Sequence, residues 1–386
     1  MVKRKIIFFS GSRAEYYIQS PILRQFQNSK KFDSYFIISG SHTSKSFGKT
    51  INFVKRDKIK IYRKIIIEIT SNKNFGLGNY VLKLQKEITK IFLNLKPDLI
   101  FLTSDRFETL SVALVAHLLN IPIIHLEGGD VTEGGTLDDN SRHAITKLAS
   151  LHLVTNYDSE KRVLRLGEEK NRIVNIGFPP LSKIIKNKLY SKSQIEKKIN
   201  LNIDGKLIIF TYHPVPNELN SQREIFDAIS FLSKKGFKFI ITYPNFDPGY
   251  KNILKKIESL KHHKNVYVIK NLGQKLYFSL LNYIGKNNKG LCIGNSSSGI
   301  KETMFFNCKV INLGTRQKSR FKTKNIYECR INKKKIINLF YNIINKNIDY
   351  SKLKNPYFSS KKIQNLDRKI YKKLKNLDFK IKKITY

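Results

Sequence analysis

The stretch HLEGGDVTEGGTLDDNSRHAITKLA, residues 125–149, decides how the rest of the chain is read. It leaves an apolar run, Ile121-Pro122-Ile123-Ile124, that predicts a buried parallel strand. Two Gly-Gly pairs and the carboxylates Glu127, Asp130, Glu133, Asp138 and Asp139 follow, and a helix carrying Arg142 and His143 is expected from about Asp139. Strand, glycine-rich loop, helix is how an open α/β sheet presents polar groups at the carboxyl ends of its strands, where such folds bind ligands. Each piece also has a plain structural use. Asp138 and Asp139 suit a first helical turn, where carboxylates accept orphan N–H groups and favour the dipole. Arg142 lies four residues after Asp138 and three after Asp139, the spacing of an ordinary intrahelical ion pair. Taken together, five acids, four glycines and two imidazoles within nineteen residues exceed what a surface loop needs. His125 and Glu127 sit at a strand end and no HExxH or CxxC spacing follows, so no metal site is expected.

Outward from this stretch, the first half of the chain alternates strand and helix. Strands are expected at Ile6–Phe9, Tyr35–Ser39, Ile65–Ile69, Leu99–Thr103 and Leu151–Thr155, with an apolar-periodic segment at Ile18–Phe26 and helices at Tyr80–Leu95 and Glu108–Leu119. Repeated βα alternation predicts a parallel sheet covered on both faces. It gathers Arg13, His42, Asp105, Arg106 and the 125–143 loop along one edge. Gly177-Phe178-Pro179-Pro180 reads as an extended linker, because adjacent prolines continue neither a strand ladder nor a helix. After it the alternation restarts, with strands at Leu207–Thr211, Phe239–Tyr243, Val266–Ile269, Gly290–Ile293 and Val310–Leu313 and helices at Glu224–Lys234, Tyr250–Leu260 and Gln274–Ile284. The expectation is an α/β chain of two doubly wound, Rossmann-like domains, 1–177 and 178–360, with their strand-end loops across one cleft. A tail, 361–386, carries a basic helix over Lys361–Lys383.

Composition bounds the rest. At 386 residues, with 41% hydrophobic and 11% aromatic residues, the chain is globular and long enough for two cores. Three cysteines, Cys292, Cys308 and Cys329, make no disulfide framework, which points to a reducing cytoplasm. The apolar run near the N-terminus is too short for a signal peptide, and no stretch approaches the roughly 20 residues that span a bilayer. A net charge of +43 favours nucleic acid or an anionic membrane. The lysines, however, are scattered over almost every helix and loop among Asn and Ile, with no RRM, KH or helix-turn-helix signature. They read as solvated faces, and an anionic substrate needs only a few of them.

In the second half, Gly294-Asn295-Ser296-Ser297-Ser298-Gly299 sits between a strand and a helix. Its N–H groups and hydroxyls suit a phosphate or diphosphate without a Walker lysine; the plain alternative is a serine-rich helix start. Glu302 is placed either for ribose hydroxyls or as a dipole-favoured acid. Arg316 and Arg320 serve the same phosphates or are solvated cations. His213 follows a strand and precedes proline; it is either structural or an acid/base at the cleft edge.

These residues carry a resemblance. SRAEY, GSH at 40–42, SDRFET at 104–109, HLEGGD with LDDNSRHAITKLA, YHPV at 212–215, YPNFDPG at 243–249, GNSSSGIKE and INLGTRQ resemble, in order over residues 5–325, the hydrolysing UDP-N-acetylglucosamine 2-epimerases that open sialic-acid and nonulosonate pathways. The chain is less similar to the non-hydrolysing epimerases, because Glu127-Gly128-Gly129 and Asn295-Ser296-Ser297 replace their usual runs. The resemblance implies a GT-B fold and a homo-oligomer, with no cofactor. It implies elimination of UDP across C1–C2 to a glycal, then water addition with inversion at C2, releasing a ManNAc-type sugar. It further implies that Arg13, His213, Ser296, Ser297 and Arg316 hold UDP, Glu302 the ribose, and Asn245 and the backbone near Asn271 the uracil. Asp105, Glu127, Asp138 and Arg142 would flank the sugar, with proton transfer given to Glu127 and Asp138, while Tyr17, His42 and Arg106 complete the substrate contacts. The run Thr132-Glu133-Gly134-Gly135-Thr136 departs from the family and leaves UDP-GlcNAc and a 2,4-diacetamido-trideoxy sugar nucleotide both open. The rival activity is a GT-B glycosyltransferase using a UDP-sugar donor, since paired nucleotide-sugar domains serve either reaction.

Overall fold

The computed structural model describes residues 2–43, 50–67, 73–132, 136–182, 184, 188–215, 218, 221–244, 249–358, 363–376, 378–379 and 382–385. The chain forms two compact units. The first comprises Met1–Val131, Thr136–Lys183 and Pro356–Tyr386; the second comprises Thr132–Gly135 and Ile184–Asn355.

The first unit is built on seven parallel strands: β1 Arg4–Ser10, β2 Phe32–Ile38, β3 Arg63–Lys64, β4 Leu99–Thr103, β5 Ile123–Leu126, β6 Leu151–Val154 and β7 Ile173–Asn175. Their order is β3-β2-β1-β4-β5-β6-β7. The central strands β1, β4, β5 and β6 are mainly apolar and buried because both faces of the sheet are covered there. In β1, Ile6 and Phe8 join one core with Tyr16, Ile22, Leu23 and Phe26 of the helix Arg13–Gln27. Ile7 and Phe9 join another with Tyr80, Leu84, Ile88 and Phe92, one stripe of the helix Lys73–Leu95. The second unit has six parallel strands: β8 Leu207–Thr211, β9 Lys238–Ile241, β10 Val266–Val268, β11 Gly290–Gly294, β12 Val310–Leu313 and β13 Ile326–Cys329, in the order β10-β9-β8-β11-β12-β13. Two Rossmann-like α/β units are the expected fold class.

The departures are local. β7 and β13 had no apolar run to announce them, since as edge strands they are only half covered. The helices Tyr157–Arg165, Lys192–Ile199 and Lys333–Ile344 were likewise unanticipated. The strand expected at Ile65–Ile69 is Arg63–Lys64, and residues 68 and 69 lie outside the described residues. The tail helix is shorter, Leu366–Asn376, and buries Leu366 and Ile370 in the first unit's core. Where an extended linker was expected, Pro179–Leu181 forms a buried 3-10 turn. A proline's fixed φ suits the first turn of a helix as well as an extended chain.

Each sheet has one switch point, where the connections leave adjacent strands in opposite directions and the strand tips gape: β1 beside β4, and β8 beside β11. At the first, the chain turns at Gly11, whose N–H donates to Glu15 Oε2 at 2.7 Å. Gly40 packs so closely that a Cβ there would lie 2.5 Å from the Gly11 carbonyl, at a φ of +55° that favours glycine. Glu15 is 1% exposed, accepts from the Thr109 hydroxyl and lies near Glu108. Arg106 donates to both oxygens of Glu108, at 3.0 and 3.1 Å. Burial, and then the charge of Glu108, push the Glu15 carboxyl up to about 7.

The folded chain therefore holds a proton on Glu15 up to about pH 7, whereas an unfolded chain releases it near 4.5. Rising pH through that window favours unfolding. Denaturant melts of the wild type and Glu15→Gln from pH 4.5 to 8 are expected to diverge, with the wild type losing on the order of 3 kcal/mol relative to the variant at about 1.4 kcal/mol per pKa unit. Parallel pH curves would refute the assignment.

Candidate active site

The first unit concentrates its acids at the tips of β4 and β5. Two successive tips end on residues in the left-handed region, Ser104 with φ 66° and Glu127 with φ 72°. Neither is glycine, and such conformations persist only where the surroundings enforce them, typically at functional sites. The enforcement is visible. The Ser104 hydroxyl donates to Glu127 Oε2 at 2.7 Å. His125, fully buried, reaches the Ser104 carbonyl with Nε2 at 2.8 Å and faces the Thr146 hydroxyl with Nδ1 at 3.1 Å. Burial holds this imidazole down at about 3, so it is neutral and serves as a brace. Gly129 seals the turn that follows, since a Cβ there would lie 2.3 Å from the Ser159 carbonyl.

Arg142, 1% exposed, ties three segments together. Its guanidinium donates to Asp105 at the β4 tip, to Asp139 Oδ1 at 2.5 Å and to the Asp130 carbonyl at 2.6 Å. The intrahelical pair anticipated from spacing forms with Asp139, and the same cation reaches across to Asp105. Asp138, in the first turn of the helix Thr136–Leu148, is exposed. Arg13 is half-buried and starts the helix after β1, with its guanidinium 6.0 Å from the Phe53 ring. Tyr17 is half-buried, its ring 6.4 Å from that of Phe178. His42 lies under the surface at 0% exposure, its ring nitrogens against the hydroxyls of Ser10 at 2.9 Å and Thr50 at 3.0 Å. Burial lowers it to about 4, so it is neutral and holds the loop around Gly40.

In the second unit the switch point between β8 and β11 is bridged by one amide. Asn295 accepts from the His213 N–H at 2.7 Å and donates to the His213 carbonyl at 2.8 Å. Its own carbonyl accepts from Gln317 at 2.9 Å and from Arg316 at 3.3 Å, which brings the end of β12 to the same place. Gly294 lets β11 approach, because a Cβ there would sit 1.9 Å from the Thr211 carbonyl. Ser296 caps the short helix Ser297–Lys301, accepting from the Ser298 N–H, and Glu302, 1% exposed, follows that helix. His213, Ser296, Ser297, Glu302 and Arg316 are thus grouped around one set of strand ends. Asn271 is exposed at the start of the helix Gly273–Lys286, where it accepts from the Gly273 N–H at 2.8 Å. Asn245 lies outside the described residues.

Sequence reasoning quoted Ser104, Glu15, Glu108 and Asn295 only as parts of motifs. The clue to Asn295 was its place between a strand and a serine run. Nothing local marked Ser104, because its left-handed backbone is imposed from β5. Chemically, the first unit can move protons between pinned carboxylates, and the second can offer hydroxyls, N–H groups and an arginine to an anion. Among the described residues no helix is long and apolar enough to cross a membrane.

The family model described as UDP-N-acetylglucosamine 2-epimerase matches residues 24–370. The GDP/UDP-N,N'-diacetylbacillosamine 2-epimerase (hydrolyzing) of Campylobacter jejuni is 38% identical, over 86% of each chain. The UDP-N,N'-diacetylbacillosamine 2-epimerase (hydrolyzing) of Legionella pneumophila is 31% identical, over 90% of this chain and 91% of its own. Among solved structures, the UDP-GlcNAc 2-epimerase of Neisseria meningitidis bound to UDP-GlcNAc shares the fold, with a TM-score of 0.79 at 20% identity over 95% of this chain and 100% of that one. With a family model across most of its length and relatives above 30% identity, this chain belongs to the UDP-N-acetylglucosamine 2-epimerase family.

Proposed function

We propose that the chain is a hydrolysing 2-epimerase whose substrate is UDP-N,N'-diacetylbacillosamine, converted with water to UDP and the free 2-epimeric 2,4-diacetamido sugar. Hydrolysing relatives at 38% and 31% identity support the reaction, and their common sugar supports the substrate. The observation that carries the chemistry is Glu127, held in a left-handed backbone with its carboxylate on Ser104 and next to the strand tip bearing Asp105.

The C2 proton of the sugar is not acidic by itself, so cleavage of the C1–O bond must run ahead of its removal. UDP departs with the bonding electron pair, the ring carries positive charge, and a carboxylate takes the C2 proton to leave a C1–C2 double bond. Water then adds its oxygen at C1, and a proton returns to C2 from the opposite face. We assign these two proton transfers to Glu127 and Asp138. Two carboxyls suit opposite roles when their surroundings differ, and here one is buried and the other exposed. Asp105, fixed by Arg142, offers a steady negative charge to the cationic ring. Arg13, His213, Ser296, Ser297 and Arg316 receive the diphosphate, and Glu302 the ribose, while Asn245 and Asn271 are assigned to the uracil side. Tyr17 and Arg106 complete the contacts of the nucleotide sugar.

NMR of the products formed in heavy water from UDP-N,N'-diacetylbacillosamine, its GDP counterpart and UDP-GlcNAc decides class and substrate together. The expected result is unlinked UDP and a free sugar bearing deuterium at C2 from the first of these. Transfer of the sugar to an acceptor, or retention of hydrogen at C2, would overturn the reading.

Glu127→Gln keeps the shape and the bond from Ser104 but removes the base. Its turnover is expected to fall by about 10²–10⁴-fold, with UDP affinity within about twofold of wild type. Turnover at the wild-type rate would remove Glu127 from the chemistry.

A further inference from the structure

Three hydroxyls stand in line beside the Ser296 turn. Tyr277, half-buried on the helix Gly273–Lys286, places its phenol 3.1 Å from Ser298 Oγ, and Ser298 Oγ lies 3.0 Å from Ser296 Oγ. Ser296 Oγ also accepts from the Ser298 backbone N–H at 3.4 Å. A serine oxygen has two lone pairs and one proton. If Ser298 donates its hydroxyl to Ser296, both Ser296 lone pairs are in use and its O–H is left to donate away from the chain of hydroxyls.

The direction of that chain is set at its far end. A phenol is a stronger donor than an aliphatic hydroxyl, and among the described residues the hydrogen-bond partner of the Tyr277 hydroxyl is Ser298. Burial, with Cys292 and Glu302 nearby, holds the phenol well above its ordinary range, so the proton stays available. With Tyr277 donating to Ser298, and Ser298 to Ser296, each bond polarises the next and strengthens the last donor. The reverse order would leave one lone pair of Ser296 facing outward, against any anion, and would leave the phenol proton without an acceptor among the described residues.

We propose that Tyr277 is a positioning residue for the nucleotide diphosphate: through Ser298 it orients the Ser296 hydroxyl as a committed hydrogen-bond donor to an anionic phosphate oxygen. This rests on the reading of the Ser296 turn as the diphosphate site. Charge builds on the diphosphate as the C1–O bond breaks, so a donor held in place there lowers the barrier as well as the dissociation constant.

The test is calorimetric titration of UDP into the full chain as wild type, Tyr277→Phe, Ser296→Ala and the double variant, with turnover measured alongside. Ser296→Ala is expected to weaken UDP binding by about ten- to a hundredfold, the range for a hydrogen bond to a charged group. Tyr277→Phe, which keeps the ring, is expected to weaken it by about three- to tenfold and to lower kcat, with an unchanged melting temperature. In the double variant the Tyr277 effect should vanish, because the hydroxyl it orients is gone. If Ser296→Ala weakens binding but Tyr277→Phe does not, or if its effect adds in full to that of Ser296→Ala, the relay is wrong and the diphosphate reading stands. If Ser296→Ala leaves UDP affinity unchanged, the diphosphate reading fails and the relay with it. Ser298→Ala cuts the same chain at its middle and serves should Tyr277→Phe not fold; it is expected to match Tyr277→Phe in affinity, and wild-type affinity would overturn the relay.

Discussion

Parallel strands oblige every connection to return along a face of the sheet, and where successive connections choose opposite faces the backbone at the carboxyl ends has to part. That constraint operates once in each unit, at β1 beside β4 and at β8 beside β11. Most of the chemistry assigned to this chain lies at those strand ends or next to them. What fills each opening is different. In the first unit it is carboxylates, beginning with the buried pair Glu15 and Glu108 and continuing along the sheet to Asp105 and Glu127. In the second it is the side-chain amide of Asn295, followed by hydroxyls. On the proposed reading, one opening serves proton transfer and the other holds an anion.

Stocking an opening with acids carries its own cost, because like charges in a buried place repel and lose their hydration. Arg142 answers much of it in the first unit. Its buried guanidinium reaches two carboxylates and a backbone carbonyl on three separate segments, so the loop after β5, the tip of β4 and the helix bearing Asp138 share one anchor. Arg106 does the same for Glu108. Beside that pair, burial and the charge of Glu108 make the proton of Glu15 hard to remove. The strained backbone at Ser104 and Glu127 follows from the same crowding. Two strand tips that each end one residue before a carboxylate-bearing loop brace one another through the Ser104 hydroxyl and through His125, which is neutral and therefore adds no further charge.

The sheet and its faces were legible because periodicity survives in the sequence: continuous apolar runs for the strands, and an apolar residue every third or fourth position for the helices. The loop at 125–149 was legible for a different reason, the density of its acids and glycines. Edge strands such as β13 left no mark, because a half-covered strand is free to be polar. The prolines at 179 and 180 misled, since the φ they impose fits a helical turn as well as an extended chain, and burial against the first unit chose the turn. Ser104, Glu15 and Glu108 could be quoted but not assigned: their meaning comes from residues far away in sequence. Glu15 meets Thr109, and Ser104 meets Glu127. Arg142 was legible in part, because its contact with Asp139 is local and its contact with Asp105 is not.

The lysine surplus, which composition alone would assign to a polyanion, has in two places a structural use that needs no ligand. A helix ends with carbonyls that lack intrahelical donors, and a buried ammonium can supply three. Lys309, 4% exposed, shares its N–H groups among Asn288 Oδ1 at 2.6 Å, the carbonyls of Ile343 and Ile344 at 3.0 Å and that of Lys346 at 2.7 Å, closing the helix Lys333–Ile344. Burial, with Lys206 nearby, draws it down to about 8, which still leaves it mostly charged at neutral pH. Lys382, in the tail, donates to the carbonyls of Lys147 and Ala149 and to Glu168. Burial opposes ionisation of Glu168, but the bonds from His152, Lys147 and Lys382 hold it at about 2. The helix that Lys382 closes is Thr136–Leu148, whose first turn carries Asp138 and whose middle carries Arg142. The tail thus grips the far end of the helix that carries Asp138 and Arg142. A lysine there acts through the backbone, and its charge is spent inside the fold before any substrate arrives.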